Sequence, residues 1–254
     1  MNNFDKLRHF QNFTTIYECL KTTSSKILEI YKDLDPGIIY KDDNSPLTKA
    51  DLAAHQHIAS TLNSISSLPI VSEENNIRET NHAQYWLVDP LDGTKEFIKK
   101  NGEFTINIAL IENQFPCQGY VYSPISSHLY VGGMGLGSYK IKDNQVEEIN
   151  VRKAVEPIKI VASRSHLNEA TQKFIQQYKN HELIQAGSSI KLCMIAEGMA
   201  DIYPRLAPTS EWDTAAAQAV VEGAGGSVKD LEGNRLRYQK ENILNPHFIV
   251  RGNI

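Results

Sequence analysis

Two carboxylates stand three residues apart in the stretch WLVDPLDGTKEF at 86–97, where an apolar, strand-like run ends. Asp89 and Asp92 are followed by Gly93 and Thr94. Proline presets φ and glycine relieves strain, so Asp-Pro-Leu-Asp-Gly fits an ordinary turn. Two acids at the carboxyl end of a strand, beside a helix start, also fit a site for a hard cation and a phosphate. The stretch by itself leaves both interpretations open.

Two further acids lie where predicted elements begin or end. Glu73 ends a buried strand, and Asp213 opens a helix of small residues. A single acid at a helix start is usually a cap or a partner of the helix dipole. Together with Asp89 and Asp92, however, these acids form a set of oxygen ligands that suits Mg²⁺, which keeps waters for a substrate phosphate. The set therefore favours a magnesium-dependent chemistry on phosphate.

Other metal sites fit the residues less well. His55 and His57 are two apart on a predicted helix, so they face different directions and do not indicate zinc. The stretch DPLDG at 89–93 lacks the alternating acids of an EF-hand loop. Haloacid-dehalogenase phosphatases open with Asp-x-Asp-x-Thr, and the spacing here is one residue longer. That class stays a minor rival.

The composition is that of an ordinary globular protein. The 254 residues are 41% hydrophobic and 22% charged, and the net charge of −4 gives no support for binding to nucleic-acid polymers. Three well-separated cysteines in apolar surroundings indicate free thiols. No apolar run reaches membrane-spanning length, and the first ten residues lack a signal-peptide core. We expect a cytoplasmic protein. Peripheral contact with the inner face of the membrane is left open, and so is the choice between a monomer and a dimer.

Hydrophobic periodicity predicts two helices and then a group of strands in the first part of the chain. The predicted helices are 4–33 and 48–64, and the predicted strands are 68–73, 85–89, 104–112, 119–122 and 129–132. A capping box at Thr48 and Asp51 opens the second helix. The glycines at 131–137 match no dinucleotide fingerprint and predict a hairpin turn.

The polar stretch 142–156 is the predicted connection between two lobes, 1–150 and 151–254. Beyond it, strands and helices alternate, which is typical of an α/β arrangement, whereas the first part reads as α+β. The predicted strands are 158–162, 183–185 and 201–203, and the predicted helices are 168–179, 188–200 and 214–223. The sequence therefore predicts layers of sheets and helices arranged in two lobes.

Three motifs, in order along the chain, resemble the signatures of the Mg²⁺-dependent, Li⁺-sensitive inositol monophosphatase superfamily. They are SEE at 72–74, WLVDPLDGT at 86–94, and EWDTAAA at 211–217 with GAGG at 223–226. The resemblance spans most of the chain, and its second motif is highly specific. It implies a five-layer αβαβα sugar-phosphatase fold, which agrees with the two-lobe prediction.

The resemblance implies a pair of Mg²⁺ ions that share one carboxylate, with room for a third ion. The first ion is held by Glu73, Asp89 and the Leu91 carbonyl, and the second by Asp89, Asp92 and Asp213. Of these residues, Glu73, Leu91, Asp92 and Asp213 would also contact the substrate.

The same resemblance assigns the remaining catalytic roles. A water on the first metal is oriented by Thr94 and Glu73, with Asp51 behind Thr94 as a proton acceptor or a contact of the third metal. The amides of Gly93 and Thr94 cradle the scissile phosphate at the following helix start.

The substrate is the open question, because the superfamily includes inositol, sugar and nucleotide phosphatases. Ser188 and Lys191 lie at a predicted helix start, and Arg205 falls where inositol monophosphatases place a glutamate that accepts inositol hydroxyls. A guanidinium in place of a carboxylate changes the preferred ligand from polyol to anion. This segment, and His166 in the stretch SRSH, are similar to the CysQ-type 3′(2′),5′-bisphosphate nucleotidases.

The resemblance thus implies hydrolysis of the 3′-phosphate of adenosine 3′,5′-bisphosphate to AMP and phosphate. Two alternatives stay open. Inositol 1-phosphate or another sugar phosphate is the rival substrate, and a catalytically silent, Mg²⁺-dependent binding module is the rival class. Without the resemblance, Lys191 and Arg205 would read equally well as solvated surface charges.

Overall fold

The structure is a computed structural model that describes residues 4–33, 35–41, 46–75, 82–164 and 167–254. Within these ranges the strands form three sheets. In chain order they are β1 (Ile39–Tyr40), β2 (Pro46–Leu47), β3 (Ile70–Ser72), β4 (Gln84–Asp92), β5 (Thr105–Glu112), β6 (Phe115–Ser123), β7 (His128–Gly133), β8 (Gly137–Lys142), β9 (Gln145–Glu148), β10 (Ile158–Ser163), β11 (His181–Ala186), β12 (Ile202–Arg205), β13 (Ser227–Asp230) and β14 (Phe248–Arg251).

The helices lie between and outside the sheets. They are α1 (Phe13–Lys32), α2 (Lys49–Ile65), α3 (Thr94–Ile98), α4 (Glu169–Ile175), α5 (Ile190–Ala196) and α6 (Glu211–Gly223), preceded by a 3₁₀ turn at Asp5–Leu7. None of the described helices is long and apolar enough to cross a membrane.

The larger sheet has the strand order β3-β4-β5-β6-β7-β8-β9. β3 and β4 are parallel, and every following neighbour is antiparallel. The smaller sheet has the order β11-β10-β12-β14-β13, with β10 parallel to both β11 and β12. A short pair, β1 and β2, stands apart.

The layers follow from strands that are apolar on both faces. On β5, Ile106 and Ile108 belong to the core shared with α1 and α2, whereas Ala109 and Ile111 belong to the core shared with α5 and α6. This alternation buries both faces of the larger sheet. The second core continues into the smaller sheet, whose other face packs on α4 through Ile175. The order helix, sheet, helix, sheet, helix confirms the predicted five-layer fold.

The small residues of α6 let this helix lie close to the larger sheet. A Cβ atom on Gly119 of β6 would overlap the Ala216 carbonyl of α6. Close approach of this kind needs glycine on the strand and alanine on the helix. The contact fixes the position of the first turn of α6, which carries Asp213.

Several predicted boundaries need correction. The first helix begins at Phe13, because Asn12 takes a left-handed conformation with φ of 57°. The predicted helix 188–200 is limited to α5, since Ser188 and Gly198 have φ of 46° and 73°. The stretch 142–156 is not wholly a connection, because it contains β9.

Other expectations are met. The capping box at Thr48 opens α2, and the glycine-rich stretch forms the hairpin between β7 and β8, in which Gly133 pairs with Gly137. The larger sheet is built from residues 70–148 and the smaller one from residues 158–251. A division into lobes at residue 150 stays a prediction.

Candidate active site

The end of β4 is irregular where its two acids lie. Asp89 pairs with Asn107 of β5 and Asp92 pairs with Thr105, so three residue steps oppose two. The extra residue makes a bulge, and Pro90 falls within it, where a missing N–H breaks no regular ladder. Both acids line one open cleft of about 240 Å³. The bulge therefore turns carboxylates that are three residues apart toward the same space.

The first turn of α6 supplies a third acid to this cleft. Ser210 caps the helix, and its N–H donates to Asp213 Oδ2 at 2.9 Å. The carboxylates of Asp89, Asp92 and Asp213 offer ligand atoms that all lie within 4.8 Å of one another. We call these three residues the acidic cluster. The structure thus brings together three of the acids selected from the sequence.

The acidic cluster is electrostatically strained. Asp89 is 1% exposed, and burial, together with the charges of Glu73, Asp92 and Asp213, raises the pKa of its carboxyl well above the usual value. Burial and the charges of Asp92 and Glu73 raise the pKa of Asp213 to about 8. Three carboxylates this close together, one of them buried, are stabilised as anions by a cation that neutralises them. An all-oxygen, anionic donor set fits a hard divalent cation such as Mg²⁺.

Glu73 lies beside the cluster but has a cationic partner of its own. It follows β3, and its N–H donates to the Val88 carbonyl at 3.1 Å. Lys41 Nζ contacts Glu73 Oε1 at 2.8 Å and Glu74 Oε1 at 2.7 Å. Burial raises the pKa of the Glu73 carboxyl, and the ammonium of Lys41 opposes this shift. Sequence reasoning missed Lys41, because a lone lysine beside a hairpin carries no motif.

Thr94 and Asp51, selected as catalytic residues, are in contact. Thr94 Oγ1 lies 3.2 Å from Asp51 Oδ1 and 3.3 Å from the Leu91 carbonyl oxygen, both of which can accept its single proton. The other oxygen of Asp51 accepts from the N–H of Thr48 at 2.8 Å and from its hydroxyl at 2.5 Å. Asp51 is 1% exposed, and burial raises the pKa of its carboxyl to about 6.

Gly93 makes the turn between the acids and α3 possible. Its φ is 95°, in the left-handed region, and a Cβ atom there would come within 3.0 Å of the Glu103 carbonyl oxygen. Only glycine takes this conformation without strain. Gly93 is the N-cap residue of α3, and Thr94 is its first residue. Both line the cleft, as Leu91 does.

Lys95, Lys191 and Arg205 line the same cleft, and we call Lys191 and Arg205 the cationic pair. Lys191 is 5% exposed, its Nζ donates to the Ser188 carbonyl at 2.5 Å, and it lies 5.4 Å from the centre of the Tyr203 ring. The pKa of Lys191 is lowered to about 8, mainly by burial; the charge of Asp92 opposes this shift and that of Arg205 adds to it. An anion bound nearby would stabilise the charged form of this buried ammonium group.

Arg205 is incompletely satisfied. One of its terminal nitrogens donates to the Pro208 carbonyl at 2.8 Å. Its Nε is buried and has no hydrogen-bond acceptor in the described part of the chain. Ser188 lines the same cleft in a left-handed conformation. His166, the remaining predicted substrate contact, lies outside the described residues.

The sequence pattern of the inositol monophosphatase family matches residues 11–251, nearly the whole chain. This chain belongs to the inositol monophosphatase family. Members of the family depend on metal ions, which agrees with the acidic cluster.

Within this family, the chain is similar to several bacterial proteins. It is 42% identical to the 3′(2′),5′-bisphosphate nucleotidase CysQ of Escherichia coli K12, over 92% of this chain and 97% of that protein. It is 40% identical to the CysQ protein of Buchnera aphidicola, over 94% of this chain and 92% of that protein.

Solved structures show the same fold. The crystal structure of CysQ from Bacteroides thetaiotaomicron superposes with a TM-score of 0.86 at 42% identity, covering 97% of this chain and 99% of that one. The inositol monophosphatase of Thermotoga maritima superposes with a TM-score of 0.81 at 22% identity, covering 95% and 92% of the two chains. The second likeness concerns the fold alone.

Proposed function

We propose that this protein is a Mg²⁺-dependent phosphatase that removes the 3′-phosphate of adenosine 3′,5′-bisphosphate and releases AMP and inorganic phosphate. The observation that carries the proposal is the cationic pair in the cleft of the acidic cluster. Such an arrangement suits a substrate with one phosphate at the metals and another anionic group at the cations. The 42% identity to a 3′(2′),5′-bisphosphate nucleotidase supports the same substrate.

The residues that would hold Mg²⁺ are the acidic cluster, the Leu91 carbonyl and Glu73. When bound, a pair of such ions neutralises charge on the phosphate and activates water for an in-line displacement. Lys41 contacts Oε1 of Glu73 at 2.8 Å, so this ammonium competes with a cation for that oxygen.

The hydroxyl of Thr94 can pass a proton from the attacking water to Asp51. Thr94 Oγ1 accepts from the water as its own proton moves toward Asp51 Oδ1, 3.2 Å away. Asp51 suits this role because the pKa of its carboxyl, about 6, is close to neutral pH. Thr48 holds the other oxygen of Asp51, so the accepting oxygen faces Thr94.

The cationic pair would bind the part of the nucleotide that does not react. Lys191 is fixed against the Ser188 carbonyl and the Tyr203 ring, so its charge is already in place. Arg205 offers Nε and a planar guanidinium, which matches the oxygens of a phosphate. Binding energy from the 5′-phosphate would orient the 3′-phosphate at the acidic cluster.

A phosphate-release panel tests the proposal. Adenosine 3′,5′-bisphosphate, inositol 1-phosphate and fructose 1,6-bisphosphate are each offered with Mg²⁺ and with EDTA. We expect Mg²⁺-dependent release that is fastest from the bisphosphorylated nucleotide. A preference for inositol 1-phosphate would overturn the substrate assignment. Binding of Mg²⁺ and nucleotide without any release would indicate a binding module.

A further inference from the structure

Asp92 is held in a way that distinguishes it within the acidic cluster. Its Oδ2 atom lies 2.5 Å from the Ser189 N–H nitrogen, 3.3 Å from the Thr105 hydroxyl and 3.4 Å from the Asn107 side-chain nitrogen. Thr105 and Asn107 come from β5, and Ser189 caps α5. One carboxylate oxygen therefore faces three donors.

The three donor residues are also bonded to one another. Ser189 Oγ donates to Asn107 Oδ1 at 2.9 Å, because an amide oxygen can only accept. That bond uses the single hydroxyl proton of Ser189, so Thr105 must donate in the 2.8 Å contact between the two hydroxyls. The longer contact of Thr105 with Asp92 competes for the same proton. The donors thus run from Thr105 to Ser189, to Asn107 and to Asp92.

This direction has an electrostatic consequence. Hydrogen bonds that follow one another in one direction polarise each other, and here the last of them ends at the carboxylate. The chain of donors therefore strengthens the hold on Asp92 Oδ2 and fixes the orientation of its side chain.

Thr105 and Asn107 cannot reach a substrate directly. Thr105 is 0% exposed and Asn107 is 1% exposed, whereas Asp92 and Ser189 line the cleft. Any effect of these two strand residues on metal or substrate must pass through the side chain of Asp92 or through Ser189. They occupy the place of the outer partners that orient metal ligands in other proteins.

We propose that Thr105, Asn107 and Ser189 are positioning residues, which hold Asp92 Oδ2 so that Oδ1 is presented to the cation. Because Ser189 begins the helix that carries Lys191, the same contacts tie the metal site to the cationic pair. The inference rests on the metal site of the proposed function.

Calorimetric titration of the metal-free protein with Mg²⁺, without nucleotide, tests it. Asn107→Leu removes the amide donor at similar volume, and Thr105→Val removes the hydroxyl without changing the shape. We expect each variant to bind Mg²⁺ about tenfold to a hundredfold more weakly than wild type. Thr105→Ser keeps the hydroxyl and should restore near-normal affinity.

Thr23→Val is the matched control. Thr23 is also 0% exposed, and its hydroxyl donates to the Cys19 carbonyl at 2.8 Å within α1. This variant should lose a buried hydroxyl and bind Mg²⁺ as wild type does. In turnover assays, a higher Mg²⁺ concentration should restore the rate of Thr105→Val, which a general loss of folded protein would not allow.

The outcomes separate this inference from the proposed function. If wild type binds no Mg²⁺, the proposed function fails and the positioning role fails with it. If wild type binds Mg²⁺ and Thr105→Val binds it equally well, only the positioning role is overturned. Should Asn107→Leu not fold, the comparison of Thr105→Val with Thr105→Ser decides.

Discussion

The acidic cluster and the cationic pair line one cleft but are built in different ways. Each acid accepts a bond from a backbone N–H: Leu91 to Asp89 at 3.0 Å, Ser189 to Asp92 at 2.5 Å, and Ser210 to Asp213 at 2.9 Å. Lys191 and Arg205 each donate to a backbone carbonyl instead, and the Nε of Arg205 has no acceptor among the described residues.

This difference indicates that the two sides of the cleft need their ligands differently. Like charges repel one another within the acidic cluster and within the cationic pair, so a bound counter-ion stabilises either group. The three aspartates, however, are fixed by donors that do not depend on a ligand, so their part of the metal site is preformed. The Nε of Arg205 lacks an acceptor that a bound anion can supply. The metal side should govern turnover, and the cationic side should govern the choice of substrate.

The largest effect is expected at the acidic cluster. Asp89→Asn removes the charge of the most buried acid, and we expect kcat/KM to fall by more than about a hundredfold, the upper range for residues that only support a ligand. In EDTA the variant should be at least as stable as wild type, because a repelled buried charge is gone.

Phosphate release and thermal melting check both statements for Asp89→Asn. Asp143→Asn is the control, since Asp143 is exposed in the turn after β8 and asparagine tolerates its left-handed φ of 49°. Near-normal phosphate release by a folded Asp89→Asn protein would show that the acidic cluster is not needed for hydrolysis.

A smaller and more selective effect is expected at the cationic pair. A charge-assisted hydrogen bond contributes about 1.5–3 kcal/mol, or about tenfold to a hundredfold in rate. We expect Arg205→Ala to lower kcat/KM by that factor on adenosine 3′,5′-bisphosphate. Adenosine 3′-phosphate, which lacks the remote group, should be a poorer substrate and should be much less affected.

The exposed Arg237 provides the control for Arg205, and Arg237→Ala should leave both rates unchanged. An equal loss on the two substrates in Arg205→Ala would mean that this guanidinium does not recognise the second phosphate. The cationic side of the cleft would then not determine the choice of substrate separately from the acidic side.

The smallest effect concerns stability. A ligand at a hundred times its dissociation constant stabilises the folded state by about 2.7 kcal/mol. In a chain of this size that corresponds to a rise in melting temperature of about 5–10 °C. We expect Mg²⁺ to produce such a rise relative to EDTA in wild type, and a clearly smaller one in Asp89→Asn. An equal rise in melting temperature in both proteins would indicate that Mg²⁺ binds at a site other than the acidic cluster.

The sequence predicted the acidic side of the cleft better than its surroundings. Asp89, Asp92 and Asp213 were selected because they end a strand or open a helix, and such positions keep side chains outside the core. Period-two alternation likewise predicted β5. Local signals of this kind need no knowledge of distant contacts.

Features that depend on distant contacts were missed. The Lys41 contact with Glu73 and the bond of Ser189 to Asp92 each join residues far apart in the chain, and no local pattern marks them. β14 is four residues long and was not predicted, although it pairs with both β12 and β13. The short strand is stabilised by its neighbours and not by its own periodicity.

The position from which phosphate leaves tests the account most directly. Phosphorus NMR of adenosine 3′,5′-bisphosphate during Mg²⁺-dependent turnover distinguishes the two monophosphate products. With the acidic cluster at the reacting phosphate and the cationic pair at the retained one, the account predicts AMP that keeps its 5′-phosphate. Accumulation of adenosine 3′-phosphate, or of both monophosphates in similar amounts, would contradict it.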